Sequence, residues 1–369
     1  MQDEKKYWVG FNMVKGVGSI RLKRLLDFFG KLSVAWDAPM DALLAAGLSE
    51  KILDHFRMIR NQVDLDLYIS KILEKHIQII TWQDENYPRR LMEIEQPPPV
   101  IYVRGSLKPE DDWAVAIVGT RRVTTYGKQI TRDSAEYLAG NGITIISGMA
   151  RGVDALAHQA ALDVGGRTIA VLGCGVDVIY PPEHRKLAEA IIANGALLSD
   201  YAPGTPPDGV NFPPRNRIIS GLARATIVIE AGEKSGALIT AKFSAEQGRD
   251  VFAVPGSILS PMSRGTNNLI AEGATPLTNP KDVLVALNYT QVAEKQSARA
   301  TLAAEPEEQA ILNAMGYETI HVDELCQKLA LPVEKLTATL TMMELKGMVT
   351  QSGGMQYLAI REAGQDYQA

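Results

Sequence analysis

The feature that most restricts this chain is a unit repeated along its middle: an apolar run rich in Val, Ile and Leu, a glycine-containing turn, then an amphipathic stretch. The runs are "AVAIVG", "ITIISG", "RTIAVLG", "ALLSDY", "ATIVIEAG" and "DVFAVPG", most of them separated by helical patterns of 10 to 15 residues. Strands without polar alternation are buried on both faces, and strands alternating with helices form parallel sheets. The pattern predicts a doubly wound, mostly parallel α/β domain over 81–290, its last element closing near Leu287.

The segments on either side read differently. In 1–80, "SIRLKRLLDFFG" and "MDALLAAGLSEKILDHFRMI" repeat apolar residues at i, i+3, i+4 and i+7, which predicts a separate small helical domain. A stiff link with Pro97, Pro98 and Pro99 leads from it into the strand-like "VIYVRG". After a polar linker, 291–304, three short helical patterns and two strands around Gly353 and Gly354 predict a winged helix over 305–362.

Charge narrows the function classes. The chain has 43 acidic and 38 basic residues; eight acidic and three basic fall between Glu305 and Ile360, leaving 35 of each sign elsewhere. Any site for a polyanion therefore depends on how cations are arranged, not on bulk charge. Cys174 and Cys326 have no CxxC partner, which argues against a disulfide framework and a zinc site. No apolar run reaches the roughly 20 residues of a membrane span and the first residues lack signal-peptide character, pointing to the cytoplasm.

In a doubly wound sheet, ligands sit beyond the carboxyl ends of the strands, where strand order reverses. The loops expected there form one candidate site. Gly119, Thr120 and Arg121 precede a helix; a glycine turn, helix N-terminal amides and an arginine fork suit a phosphate, although a surface loop with solvated arginines has the same composition. Arg122 is left unassigned. Ser147 and Gly148 end the next strand, with Arg151 expected to face the ligand and Asp154 to serve the helix start. His158 reads as a half-buried helix residue with no nucleophile near it.

Gly173-Cys174-Gly175 begins like GxGxxG, but Val178 takes the last glycine's place and Tyr180, Pro181 and Pro182 follow where a helix is required. A dinucleotide cofactor is thus not expected, nor any other; the prolines read as a wall and Tyr180 as a stacking surface. Asn216 and Arg217 enter a helix after two prolines, Lys234, Ser235 and Gly236 form a second cradle without Walker spacing, and Thr266 and Asn267 follow a further turn. Cations along one sheet edge, with no acidic pair, metal cluster or triad, predict a track of phosphates and nucleic-acid binding without catalysis.

Five separated stretches, "VGTRRVTTYG", "SGMARGVDALAHQAAL", "AVLGCGVDVIYPPEH", "NFPPRNRIISGLARATIVIEAGEKSGALITA" and "VFAVPGSILSPMSRGTNNLIAEGA", resemble in order and spacing the DNA-processing protein A family, DprA or Smf. The resemblance implies a homodimer with an extended Rossmann fold, flanked by an N-terminal sterile-alpha-motif-like or helix-hairpin-helix domain and a C-terminal winged helix, that binds single-stranded DNA, protects incoming strands, helps displace single-strand-binding protein and delivers the strand to the RecA recombinase during natural transformation. By motif it centres DNA contacts on Arg121 and Lys234, supported by Asn216, Arg217 and nearby amides.

The rival class is an enzyme similar to the phosphoribohydrolases that cleave nucleoside monophosphates. The stretch corresponding to their PGGxGTxxE motif has Ile239 and Thr240 where the glutamate belongs, so acid-base chemistry lacks its carrier. The flanks admit further readings. "VKGVGSIRLKRLL", with Lys15, Arg21, Lys23 and Arg24, is either a helix-hairpin-helix that meets phosphate or a protein-interaction module with a solvated basic face. The acidic winged helix suits a protein contact better than duplex DNA.

Overall fold

The computed structural model describes residues 2–289, 306–315, 320–329, 331–345 and 348–359. The linker expected over 291–304 lies outside them. Two compact units divide at Leu287 and Asn288.

The larger unit is built on a sheet of nine strands: β1 (Gln78–Thr81), β2 (Val100–Gly105), β3 (Ala114–Val118), β4 (Thr144–Ser147), β5 (Thr168–Val171), β6 (Gly195–Ser199), β7 (Ala225–Val228), β8 (Asp250–Ala253) and β9 (Thr275–Pro276). Their order is β1-β2-β6-β5-β4-β3-β7-β8-β9. Strands β3 to β9 are mutually parallel, and β2 pairs antiparallel with both β1 and β6. Every residue of β3, β4, β5, β6 and β7 is buried, as expected from their apolar runs. The chain builds outward from β3 through β4, β5 and β6, then returns to place β7 on the other side of β3. The strand order thus reverses at β3 and β7.

Helices cover both faces. Among residues 1–80 run α1 (Gln2–Met13), α2 (Ser19–Phe29), α3 (Leu32–Asp37), α4 (Met40–Ala45), α5 (Glu50–Gln62) and α6 (Leu65–Glu74); α7 (Arg89–Met92) follows β1. The crossovers are α8 (Thr125–Gly140), α9 (Val153–Asp163), α10 (Arg185–Asn194), α11 (Phe212–Leu222), α12 (Gly236–Glu246) and α13 (Arg264–Ala271), with α14 (Lys281–Ala286) after β9. Alternation along the strands divides the core: Ala170 and Leu197 face the side of α10 and the amino-terminal helices, while Ile169, Val171, Ala196 and Leu198 face α11 and α12.

The amino-terminal helices do not stand apart as expected. Phe11, Trp36 and Phe56 form an aromatic cluster with centroids 5.0–5.3 Å apart, and the core around it runs on into Val100, Tyr102 and Leu172 of the sheet side. The Tyr102 hydroxyl donates to Asn12 Oδ1 (2.9 Å) and that of Tyr68 to the Pro203 carbonyl (2.8 Å). A boundary at residue 80 would also cut β1, whose residues pair with β2.

The smaller unit is a winged helix. Helices α15 (Pro306–Met315), α16 (Val322–Leu329) and α17 (Val333–Leu345) surround Ile311, Leu325, Leu336, Leu340 and Met343. The wing strands β11 (Val349–Gly353) and β12 (Gln356–Ala359) are joined by β10 (Ile320–His321), two residues too short to register as a sequence pattern.

Candidate functional site

Strands β3 and β7 pair in parallel, Val118 opposite Val228, so the loops leaving their carboxyl ends are neighbours. The β3 loop is held from three sides. Thr120 N–H donates to the Glu230 carbonyl (2.7 Å), and Val153 N–H donates to the Thr120 carbonyl (3.3 Å). Thr124 caps α8: its hydroxyl accepts from Gly127 N–H (3.1 Å) and donates to Glu230 Oε1 (2.5 Å), while its own N–H donates to Glu230 Oε2 (2.9 Å). The buried Glu230 carboxylate therefore sits at the start of α8, where the helix dipole favours negative charge, and ties the β3 loop to β7. It is the residue that motif reading passed over, since "VIEAG" looks like the end of a strand.

Two glycines make this closeness possible. A Cβ on Gly119 would lie 2.6 Å from Val153 Cγ2, and Gly152, at φ +82°, has the Arg121 carbonyl 2.8 Å from where its Cβ would be. With the backbone fixed inward, Arg121 and Arg122 are left exposed, and neither side chain makes an ion pair among the described residues. In the β7 loop, Ser235 N–H donates to the Gly232 carbonyl (2.9 Å) and Ser235 Oγ accepts from Ala237 N–H (3.4 Å) to cap α12. Lys234 and Gly236 are exposed, and Lys234 likewise has no ion pair among the described residues.

Other expected members take different positions. Ser147 is fully buried and its hydroxyl donates to the Ile117 carbonyl (2.6 Å). Gly148 is buried too, its N–H donating to Asp154 Oδ2 (3.1 Å); Ala150 N–H donates to the same oxygen (3.3 Å), so Asp154, in the first turn of α9, fastens the loop leaving β4 rather than the first amides of its own helix. Arg151, expected free, pairs with Glu183 at 2.6 Å on the surface. Arg217 is withdrawn from the edge: it donates to Asp200 (2.8 Å) and the Gln96 carbonyl (2.7 Å) with its side chain 19% exposed. Asn216 bridges to the Gly236 carbonyl (3.3 Å). Thr266 is buried with its hydroxyl on the Ser263 carbonyl, and Asn267 bonds both the N–H and the carbonyl of Gly256 (3.2 and 3.0 Å).

Beneath the loops lies Arg215, fully enclosed, its guanidinium on the carbonyls of Gly148 (3.1 Å) and Val171 and close to Asp154. It braces the ends of β4 and β5 from below. His158 is buried outright, not half-buried. The Thr168 hydroxyl donates to the Ile145 carbonyl (2.8 Å) and so accepts from His158 Nδ1 (2.6 Å), leaving Nε2 without a partner among the described residues; burial holds the imidazole down to about 3, neutral in ordinary buffers. Cys174 is buried, and burial pushes its thiol up to about 11. Tyr180 is partly exposed and stacks on Phe212, centroids 5.7 Å apart. Among the described residues no group of three or more His, Cys, Asp or Glu is placed to hold a metal, and no helix is long and apolar enough to cross a membrane.

Fold and edge together define a doubly wound α/β protein whose carboxyl rim presents cations that have no ion pair among the described residues, followed in sequence by a winged helix. Comparison with known proteins gives the family. The family described as DNA recombination-mediator protein A matches residues 78–288, and the DprA winged helix domain matches 295–355; the chain belongs to this family. Protein Smf of Synechocystis is 38% identical over 96% of this chain and 98% of its own length, and DNA processing protein DprA of Streptococcus pneumoniae 42% identical over 62% and 80%. The solved structure of the Streptococcus pneumoniae protein superposes with a TM-score of 0.67 at 37% identity, covering 76% of this chain and 97% of that one. The Helicobacter pylori DNA processing protein A, solved for its single-stranded DNA binding mode, superposes at 0.53 with 35% identity, covering 58% and 98%.

Proposed function

We propose that this protein binds single-stranded DNA along the carboxyl rim of its sheet and acts as a recombination mediator without catalysing a reaction. The observation that carries this reading is the placement of Arg121, Arg122 and Lys234 on neighbouring loops, exposed and without carboxylate partners among the described residues. Phosphates in series match such a row. The printed description of the Helicobacter pylori relative supports the same ligand. Glu230 does not supply the acid-base group an enzyme would need, because both its oxygens are engaged by Thr124.

The bound strand is handed to the RecA recombinase, with displacement of single-strand-binding protein, in the uptake of DNA during natural transformation. The protein works in the cytoplasm as a homodimer. The acidic winged helix contributes a protein contact.

Binding of an oligothymidylate across a salt series tests the site. Arg121→Ala and Lys234→Ala each weaken binding, and each flattens the dependence of log affinity on log salt by about one. Unchanged affinity in both variants would remove the rim from consideration. Incubation with nucleoside monophosphates releases no free base, whereas steady release would favour the hydrolase reading. Deletion of residues 300–369 leaves strand binding intact.

A further inference from the structure

The loop between β8 and α13 carries the two most exposed large apolar side chains among the described residues, Ile258 at 82% and Leu259 at 86%. It is an ordered turn. Asn267 grips both polar atoms of the Gly256 backbone at 3.2 and 3.0 Å, Ser260 N–H donates to the Ser257 carbonyl (3.0 Å), and Ser263 N–H donates to the Ser260 carbonyl (3.1 Å). Its two feet stand on the elements that carry the rim cations. The Tyr126 hydroxyl of α8 donates to the Pro255 carbonyl (3.1 Å), and the Thr120 hydroxyl lies 3.9 Å from Met262 Sδ. Ala231 N–H donates to the Met262 carbonyl (2.8 Å), joining the same turn to the β7 loop. Between Gly256 and Met262 there is no charged residue.

We infer that Ile258 and Leu259 form an apolar contact for nucleobases of the strand whose phosphates lie on Arg121 and Lys234; the inference rests on the strand-binding reading above. A single strand that turns its phosphates to a row of cations leaves its bases unpaired, and aliphatic side chains pack against such bases or between them. The loop meets that requirement: it is uncharged, pinned to both cation-bearing loops, and holds two aliphatic groups in water on a preformed turn. Being exposed, the pair contributes little to the core and can be replaced without unfolding the protein.

The test uses the full chain with both residues changed, Ile258→Ser and Leu259→Ser, against oligothymidylate and an oligonucleotide of equal length built of abasic residues. The double variant binds oligothymidylate about tenfold more weakly with the salt slope unchanged, and its preference for thymidine over abasic strand falls by a similar factor. Arg121→Ala does the reverse, lowering the salt slope and keeping that preference. A double variant with the wild-type preference for bases overturns the inference, as does unchanged binding with a shift in mass by light scattering, which would assign the pair to a contact between copies. If Arg121→Ala and Lys234→Ala bind as wild type, the strand reading itself falls; if they weaken and the apolar pair does not matter, only this inference does.

Discussion

The two ends of the sheet use the same residue types to opposite effect. At the amino end, Arg167, Arg224 and Arg249 each stand one residue before a strand, and each is matched by a carboxylate: Arg167 by Asp111 (2.7 Å), Arg224 by Asp112, and Arg249 by Glu93 (2.7 Å). Arg224 also lies 3.5 Å over the Trp113 ring, and Arg90 reaches Asp112 at 3.1 Å. At the carboxyl end, Arg121, Arg122 and Lys234 have no such partners among the described residues. The amino-end arginines close the fold; the carboxyl-end cations leave a positive field open to a polyanion. The position of an arginine relative to a strand therefore says less about its role than the presence of a carboxylate beside it.

Arg215 provides the sharpest break of this comparison, being a carboxyl-end arginine with a structural task. Arg215→Leu strips the Gly148 and Val171 carbonyls and Asp154 of their buried cation, and is expected to cost roughly 3–5 kcal/mol in urea unfolding. A wild-type midpoint would mean that the braces at β4 and β5 are dispensable. Next in size is Arg167→Leu at the amino end. With the Asp111 side chain only 9% exposed, loss of its partner costs about 2 kcal/mol, below a fully buried pair because Arg167 is 20% exposed. Strand affinity is unchanged in this variant; a weakened affinity would blur the division between the ends.

His158 links the helix layer to the amino end through Thr168, and it ties stability to pH. Its folded value of about 3 lies below the ordinary 6.5, so the unfolded chain takes up the proton first. The stability it provides is complete above about pH 6.5 and is lost as pH falls toward 3, at up to about 1.4 kcal/mol per unit. Urea midpoints measured between pH 7 and 5 follow that slope, and His158→Gln flattens it. The smallest effect falls on the open rim: Arg121→Ala and Lys234→Ala each leave the thermal midpoint within about 1 °C while weakening strand binding. A larger drop would show that these cations are tied into the fold after all.

Much of the sheet was legible because each parallel strand is a short, fully apolar run ended by a turn. The helix register of "PPRNR" was not. Consecutive helical residues point about 100° apart, so Arg215, Asn216 and Arg217 face three directions: into the core, toward the start of α12, and onto Asp200. Read as a string they look like one basic patch. Ser147 and Thr266 were misplaced for a similar reason, since small polar residues at strand ends and helix starts serve a ligand or the local backbone with the same composition. The amino-terminal helices showed which faces were apolar, but not that Tyr102 and Leu172 of the sheet side would cover them.

The sequence by itself determined the alternation of strand and helix, the turns at the carboxyl ends, the winged helix, and the family. Those properties are local, set by periodicity and by residues whose spacing survives in a single string. Only the tertiary structure decided which cations are free. That depends on carboxylates brought from far along the chain, Asp111 to Arg167 and Glu93 to Arg249, and on Glu230 fastening one rim loop to the next strand. Pairing is a property of distance in space, and a strand order that places β3 between β4 and β7 sets those distances.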